Sequence, residues 1–324
     1  MNQTSFLPLI DETNAGEGIN PNDRDATSRP INVASVPQRS PFRYPGGKTW
    51  LVPYLRSWLR GRCPQPAEFI EPFAGGGIVG LTVAAEKLAG HVMMVELDED
   101  VAAVWATILH DDGGGDWLAE KIMRFDLTPE TVAEALALPA SRLRERAFQT
   151  ILKNRVNRGG ILADGAGRIK TGEANRGLAS RWYPETLKNR IIGIVLIRGR
   201  ISFVRGDGLA VLRQNSHRSD AVFFIDPPYT AAGKRAGSRL YTHSELDHVA
   251  LFEVAGSLAG DFLMTYDNAA GVRELAERHG FDTQAVAMKN THHEMMTELL
   301  IGRDLSWARQ HPQHKGADPR CPPT

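Results

Sequence analysis

The chain has 324 residues, of which 42% are hydrophobic and 23% are charged, a composition typical of a globular protein. No apolar run approaches the ~20 residues that a transmembrane helix needs, and the polar, acidic start predicts no signal peptide. The two cysteines, Cys63 and Cys321, are too far apart to indicate a disulfide framework or a cysteine zinc site, which favours a reducing cytoplasm.

Charge is unevenly distributed along the chain, although 38 residues of each sign balance overall. Between residues 141 and 200 there are 14 Lys and Arg against 4 Asp and Glu, a local excess of ten positive charges. The rest of the chain therefore carries a matching negative excess. This asymmetry predicts contact with a polyanion, although a solvated basic helix face would produce the same count.

The first structured segment is expected after a disordered arm that is rich in Asn, Ser, Pro and Thr. Gly46 and Gly47 lead through Lys48 into a helix predicted over residues 50–60. Backbone N–H groups at such a turn, together with the lysine charge, suit a carboxylate or a phosphate. A plain helix entry is the alternative.

Residues 68–80 predict a strand, a glycine turn and the start of a helix. Gly75, Gly77 and Gly80 fit the pattern G-x-G-x-x-G, and the next apolar run ends in Glu96. Such a unit brings an acid to a ribose diol beside a glycine turn. A dinucleotide and S-adenosylmethionine both present an adenosine ribose, so the pattern leaves the cofactor open.

The basic region follows a helical stretch over residues 98–138 and contains a glycine-rich segment over 159–177. Its Arg and Asn side chains suit contacts with phosphates or with a nucleic-acid groove. The sheet is expected to resume at residues 201–204, which lead to Asp207 and a short helix.

Residues 223–229 have the sequence Phe-Phe-Ile-Asp-Pro-Pro-Tyr. The strand must end at Asp226, because proline cannot continue a hydrogen-bonded ladder. A carboxylate, free carbonyls and an aromatic ring then lie at the edge where open α/β sheets bind ligands. A turn that only caps a core strand is the alternative.

The remaining elements are a polar loop over residues 231–241, a strand over 262–266 and a final pair of antiparallel strands over 283–288 and 298–301. The tail after Asp304 is predicted to be disordered. His292 and His293 have no further ligands at metal spacing, so no metal is assigned.

Four motifs in this order resemble the Dam-like (D12 class, alpha group) DNA adenine-N6 methyltransferases, over roughly residues 42–303. They are Tyr-Pro-Gly-Gly-Lys at 44–48, Glu-Pro-Phe-Ala-Gly-Gly-Gly at 71–77, Glu-Leu-Asp at 96–98 and Asp-Pro-Pro-Tyr at 226–229. The resemblance implies an α/β fold, with a Rossmann-like S-adenosylmethionine-dependent methyltransferase sheet, helices on both faces and an inserted, mainly helical, basic target-recognition domain. The expected division is a disordered arm (1–40), a catalytic domain (41–110 and 200–303), the insertion (111–199) and a disordered tail (304–324).

The resemblance also implies a set of site residues. Those assigned to S-adenosylmethionine are Tyr44, Lys48, Phe73, Gly75, Gly77, Glu96, Asp207 and Asp226. Those assigned to catalysis are Asp226, Pro227, Pro228 and Tyr229. Those assigned to DNA are Arg155, Asn157, Arg158, Arg168, Lys170, Arg181, Lys234 and Arg235.

The roles of these residues follow from the resemblance. Lys48 would hold the cofactor's carboxylate, Glu96 its ribose hydroxyls and Asp207 its adenine. Asp226 and the Pro227 carbonyl would accept the two N6–H bonds of adenine, since proline offers acceptors without competing donors. Tyr229 would stack on a base flipped out of the duplex.

The implied function is site-specific methylation of adenine N6 in double-stranded DNA. The expected partner is DNA, with a restriction endonuclease as a further candidate, in a monomer without metal or membrane contact. The expected location is the cytoplasm of a bacterial or phage-infected cell. The alternatives are a nicotinamide-dependent oxidoreductase, a methyltransferase acting on RNA, cytosine N4 or a protein amide, and a catalytically silent DNA-binding relative.

Overall fold

A computed structural model describes residues 33, 35–44, 47–163, 165–172, 175–228, 246–289 and 295–310. Within these residues, seven strands form one sheet in the order β3-β2-β1-β4-β5-β7-β6. The strands are β1 Glu68–Glu71, β2 His91–Glu96, β3 Ile201–Arg205, β4 Ala221–Ile225, β5 Asp261–Asp267, β6 Asp282–Lys289 and β7 Met295–Gly302.

The strand directions explain where a site can form. Strands β1 to β5 are parallel, whereas β7 runs antiparallel to both β5 and β6. All residues of β1 and β4 are buried, as expected for central strands covered on both faces. The carboxyl ends of the parallel strands therefore share one edge. The predicted Rossmann-like sheet and its closing antiparallel pair are confirmed.

Helices cover both faces of the sheet, which buries two hydrophobic clusters. Asp98 begins α3, where its carboxylate accepts hydrogen bonds from two backbone N–H groups of the first turn. The helices are α1 Val52–Arg60, α2 Ile78–Glu86, α3 Glu99–Leu109, α4 Gly114–Arg124, α5 Pro129–Ala137, α6 Leu143–Val156, α7 Pro184–Ile197, α8 Gly208–Asn215, α9 His248–Ser257, α10 Ala270–Arg278 and α11 Ser306–Arg309.

The predicted insertion is not confirmed as a separate domain. Phe148 and Ile151 of α6, with Leu187 and Ile191 of α7, belong to the same buried cluster as Trp105 of α3. Two long helices of the predicted insertion are thus part of the main core. The division at residues 111–199 stays a prediction.

The two predicted termini are described only in part. Of the arm, residue 33 and residues 35–40 are described, and Val36 and Ser40 are buried against the core. Of the tail, residues 304–310 are described, and Arg309 of α11 donates to the Asp282 carboxylate. Ordered chain therefore extends beyond both predicted boundaries. Among the described helices, none has the length and hydropathy that crossing a bilayer requires.

Candidate active site

The loop after β1 turns tightly around three glycines at the carboxyl edge of the sheet. Gly75 and Gly77 have φ values of 47° and 63°, a conformation that favours glycine. The Ala74 N–H donates to the Val95 carbonyl at 2.8 Å, and the Gly77 N–H donates to the Ala74 carbonyl at 2.7 Å. Gly77 also caps α2. The predicted strand, glycine turn and helix are therefore present.

Tyr44 packs directly on this turn. A Cβ atom added to Gly75 would lie 2.7 Å from Tyr44 Cε1, and one added to Gly76 would lie 2.8 Å from Tyr44 Cβ. From another direction, the Trp105 indole Nε1 donates to the Gly75 carbonyl at 2.9 Å. The structure thus brings together the first two motifs of the sequence.

Glu96 ends β2 beside the same turn. Its Oε2 accepts a hydrogen bond from the Gly75 N–H at 2.8 Å, and its Oε1 accepts one from the Asp98 N–H at 2.8 Å. Burial raises the pKa of Glu96 to about 7, although these backbone donors lower it. Each carboxylate oxygen can accept a second hydrogen bond. Glu96 can therefore bind hydroxyl groups while it supports the turn.

Asp226 lies at the carboxyl end of β4, the neighbour of β1 in the sheet. The Thr265 hydroxyl donates to Asp226 Oδ1 at 2.7 Å, and Lys48 Nζ lies 3.1 Å from the same oxygen. Pro227 and Pro228 follow without N–H groups. The carboxylate at the end of β4 is thus held by a residue of β5 and by a residue of the loop before α1. The two prolines beside it offer carbonyl acceptors and no backbone N–H donors.

Lys48 lies inside the protein, with a side chain that is only 3% exposed. Its ammonium contacts Asp226 and lies 3.7 Å from Glu298 Oε2 on β7. The assignment of Lys48 to the cofactor's carboxylate stays a prediction. In this structure, two carboxylates of the protein itself are its partners.

Asp207 is an exposed residue that caps α8, where its Oδ1 accepts a hydrogen bond from the Leu209 N–H at 2.9 Å. The adjacent Gly208 packs against the segment that precedes the glycine turn. A Cβ atom at Gly208 would lie 2.9 Å from Phe73 Cε1 and would collide with the Pro72 carbonyl. The residues predicted to bind the adenine and to line the cofactor are therefore close neighbours.

The basic region contains a short antiparallel hairpin. Residues 156–158 pair with residues 167–169 through backbone hydrogen bonds of 2.8 and 2.9 Å. Three of the predicted DNA contacts, Arg158, Arg168 and Lys170, are exposed on or next to this hairpin. They form a basic surface, which we call the basic hairpin.

Two other predicted DNA contacts lie in the interior. Arg155 is 5% exposed, and its guanidinium donates to the Pro41 carbonyl. Burial, and then the positive charge of Arg190, lowers the pKa of Arg155 to about 9. Asn157 is also buried, and its amide donates to the Ile161 carbonyl at 2.8 Å. Both side chains support the protein's own backbone rather than a surface contact.

Some predicted residues lie outside the described part of the chain. They are Tyr229, Lys234 and Arg235 in the segment after β4, together with His292 and His293. Arg181 is described and is partly exposed. Among the residues described, no group of three or more His, Cys, Asp and Glu side chains is arranged to hold a metal ion.

Residues 44–124 match the family model of the D12 class N6 adenine-specific DNA methyltransferases. The resemblance is confirmed over this range. The matched segment contains Tyr44, Lys48, the glycine turn and Glu96, and it ends before Asp226. Together with the strand order of the sheet, the match identifies the chain as a methyltransferase.

Curated proteins include no match to this chain. Three solved structures that resemble it are described as methyltransferases. A protein described as an RNA methyltransferase from Pyrococcus horikoshii has a TM-score of 0.36 and 13% identity, over 81% of this chain and 84% of that one. A precorrin-6y C5,15-methyltransferase from Geobacter metallireducens GS-15 has a TM-score of 0.32 and 9% identity, over 78% and 85%. The methyltransferase domain of bacterial CtHen1 has a TM-score of 0.33 and 11% identity, over 78% and 94%.

Sequence reasoning missed three polar side chains of this methyltransferase site. Thr265 on β5 and Glu298 on β7 contact Asp226 and Lys48, while Glu71 on β1 accepts a hydrogen bond from the Gly80 N–H at 2.9 Å. Burial raises the pKa of Glu71 well above its ordinary range. Thr265 and Glu298 lie among apolar strand residues, and Glu71 is the last strand residue before the glycine turn. That pattern is the signal that could have found them.

Replacing Gly80 by Ala is expected to destabilise this methyltransferase by about 1–3 kcal/mol, as overpacking of a filled interior does. The added Cβ would collide with Oε2 of the buried Glu71. The free energy of unfolding in urea measures the effect. Gly193→Ala is the matched control, because Gly193 lies on the exposed side of α7 with no atom within 4 Å of its added Cβ. This control should gain roughly 0.5–1 kcal/mol. Equal effects at both positions would contradict the packing explanation.

Proposed function

We propose that this methyltransferase is a site-specific, adenine-specific DNA methyltransferase. It transfers the methyl group of S-adenosylmethionine to N6 of an adenine flipped out of double-stranded DNA. One observation carries the proposal. The Asp226 carboxylate, followed by two prolines, lies at the end of β4, and β4 is the neighbour of β1, which leads into the glycine turn that Glu96 contacts. An acceptor for an amino group is therefore next to an acceptor for a nucleoside.

The residues at the glycine turn fit an adenosine-containing cofactor. Tyr44 fills the space where Cβ atoms of Gly75 and Gly76 would lie, so a ligand would approach the backbone of the turn from the opposite side. Glu96 would accept the ribose hydroxyls, and Asp207 would contact the adenine. When bound, S-adenosylmethionine supplies a sulfonium methyl group and leaves as a neutral thioether.

The acceptor chemistry explains the residues after β4. Adenine N6 is a poor nucleophile, because its lone pair is delocalised into the ring. The Asp226 carboxylate and the Pro227 carbonyl would accept its two N–H bonds, which favours a pyramidal nitrogen with its lone pair directed at the methyl group. Methyl transfer would form the N–C bond as the C–S bond of the cofactor breaks, and the surplus proton on N6 would pass to solvent. Positioning and electrostatics supply the acceleration, and no covalent intermediate with the protein is needed.

The basic hairpin would contact DNA phosphates, with Arg181, Lys234 and Arg235 as further predicted contacts. Its exposed cations belong to the region with ten surplus positive charges, which supports a polyanionic partner. Tyr229 would stack on the flipped base. The proposal places the reaction in the cytoplasm of a bacterial or phage-infected cell. It describes a monomer, with a restriction endonuclease as a candidate partner.

Neutralising the basic hairpin should weaken DNA binding in a salt-dependent way. The variant Arg158→Gln/Arg168→Gln/Lys170→Gln is expected to flatten the slope of log K against log salt concentration by roughly 0.9 for each phosphate that the protein no longer neutralises. Fluorescence anisotropy with a DNA duplex at several salt concentrations measures the slope. Arg124→Gln is the control, since Arg124 is exposed but pairs with Glu120 on its own helix. An unchanged slope in the triple variant would remove the hairpin from the DNA interface.

The direct test of the function uses tritiated S-adenosylmethionine, unmethylated genomic DNA and mapping of modified bases by single-molecule sequencing. We expect N6-methyladenine at one recurring short sequence. Methylation without a shared sequence would keep the reaction and reduce the basic hairpin to a non-specific clamp. Tight cofactor binding without transfer to DNA would overturn the DNA proposal and direct the assay to RNA or protein. Absence of cofactor binding would favour a dinucleotide enzyme.

A further inference from the structure

Asp226 belongs to a partly buried charge cluster that includes residues from four parts of the fold. Lys48 comes from the loop before α1, Asp226 from the end of β4, Asp267 from the end of β5 and Glu298 from β7. Lys48 Nζ lies 3.1 Å from Asp226 Oδ1 and 3.7 Å from Glu298 Oε2. Asp267 and Glu298 are paired in the strand register. The antiparallel direction of β7 therefore brings Glu298 to the same edge as the ends of the parallel strands.

Glu298 is an unusual residue for its position. The residue is 7% exposed, and its strand neighbours Leu299 and Leu300 are fully buried. A carboxylate in such an environment is costly unless it has a counter-charge. The positive charge of Lys48 favours the ionised form of Glu298, while the negative charges of Asp226 and Asp267 oppose its ionisation.

The charges in the cluster do not balance. Among the described residues, three carboxyl groups face one ammonium, and the residue opposite Glu298 on β6, Val286, carries no charge. Burial raises the pKa of Glu298 to about 7, and it also raises the pKa of Asp267. Tyr266, next to Asp226, is buried as well, and its phenol stays neutral because burial raises its pKa. Glu298 is therefore a member of the cluster whose charge changes near neutral pH.

We propose that Glu298 is a positioning residue for methyl transfer: it fixes the Lys48 ammonium against Asp226, so that the Asp226 carboxylate is held toward the acceptor nitrogen. This inference rests on the proposed function and assigns Lys48 to Asp226 instead of to the cofactor. Thr265 fixes the same oxygen of Asp226 at 2.7 Å. The ammonium is thus held between two carboxylates, and loss of the charge on Glu298 weakens this arrangement.

The variant Glu298→Gln tests this role, since glutamine has the shape of a protonated glutamate. At pH 8 and saturating S-adenosylmethionine, we expect kcat to fall roughly tenfold, because a neutral amide no longer attracts the Lys48 ammonium, which lies 3.7 Å from Glu298 Oε2. At pH 6, wild type and variant should differ little, because wild-type Glu298 is then protonated. The wild-type rise of kcat across neutral pH should be absent in the variant, while KM for the cofactor stays unchanged.

Glu68→Gln is the matched control for this experiment. Glu68 is 8% exposed, lies on β1 and pairs with Arg218, but it is at the amino end of the sheet, away from the cluster. Its variant should keep the wild-type pH profile. If wild type is active and Glu298→Gln behaves like Glu68→Gln at every pH, the positioning role is wrong while the proposed function stands.

A second measurement is independent of activity. With ¹³C in the glutamate carboxyl groups, NMR follows the Glu298 titration, assigned by its loss in Glu298→Gln. Asp226→Asn removes a negative charge from the cluster and should move the Glu298 midpoint to lower pH. An unmoved midpoint would overturn the inference. If wild type transfers methyl groups to no acceptor, the proposed function fails, and this titration still decides whether Lys48, Asp226 and Glu298 are coupled.

Discussion

Asp226→Asn is expected to lower kcat for methyl transfer roughly 100- to 1,000-fold, the range seen when one group that stabilises a transition state is removed. Asparagine keeps the size of the side chain and can still accept the Thr265 hydroxyl at Oδ1. It loses the charge that faces Lys48, and its NH₂ group presents donors where the adenine amino group needs an acceptor. Affinity for S-adenosylmethionine should change only a few-fold, because Glu96 and the glycine turn are intact.

Single-turnover transfer of a tritiated methyl group to DNA measures this loss, and calorimetry measures cofactor binding. Asp261→Asn is the matched control. Asp261 begins the adjacent strand β5 at the opposite edge of the sheet and pairs with Arg62, so its loss should leave kcat unchanged. A similar kcat for Asp226→Asn and wild type would exclude Asp226 from the chemistry.

Cofactor affinity is expected to depend on pH through Glu96. Burial raises the pKa of Glu96 to about 7, and only the ionised carboxylate is purely an acceptor for two ribose hydroxyls. Below this pKa the protein must lose a proton to bind the nucleoside, so the dissociation constant should rise roughly tenfold per pH unit. Above pH 7 the affinity should reach a plateau, because Glu96 is already ionised.

Calorimetric titration with S-adenosylhomocysteine between pH 5.5 and 8.5 tests this dependence. Glu96→Gln should bind more weakly at pH 8 and should lose the pH dependence. Glu86→Gln is the control, because hydrogen bonding to Arg56 lowers the pKa of Glu86 and keeps its titration outside this range. A pH-independent dissociation constant in wild type would show that Glu96 does not carry the nucleoside contact.

The same ionisation should affect the stability of the free protein. A carboxyl group whose folded pKa is raised binds its proton more tightly in the folded state than in the unfolded state. Its contribution to stability is therefore present at low pH and is lost as pH rises from the ordinary range toward about 7. Ionisation of Glu96 and of Glu298 should therefore both lower the stability of the folded protein as pH rises. A cation or a bound ligand that contacts the ionised carboxylate offsets this loss of stability.

Local sequence patterns were sufficient for the strands, the glycine turn and the four motifs. Strands are predicted from apolar runs that end at glycine or proline, and this pattern depends only on neighbours along the chain. Proline after Asp226 ends the strand for the same local reason. The glycine turn could also be predicted locally. A tight turn with positive φ values favours glycine, as at Gly75 and Gly77. These features determined the fold class and most of the candidate site.

Tertiary packing decided the rest, because burial and charge pairing join residues that are distant in sequence. Arg155 and Arg158 belong to the same basic region and were both predicted to contact DNA. However, the helix directs Arg155 inward to the Pro41 carbonyl, whereas Arg158 is exposed. Glu298 reads as one polar residue in an apolar strand, and only the antiparallel direction of β7 brings it to Lys48. The sequence by itself determined which motifs meet at the sheet edge. The fold decided which charges share that edge, because the energy of a buried charge depends on its neighbours in space.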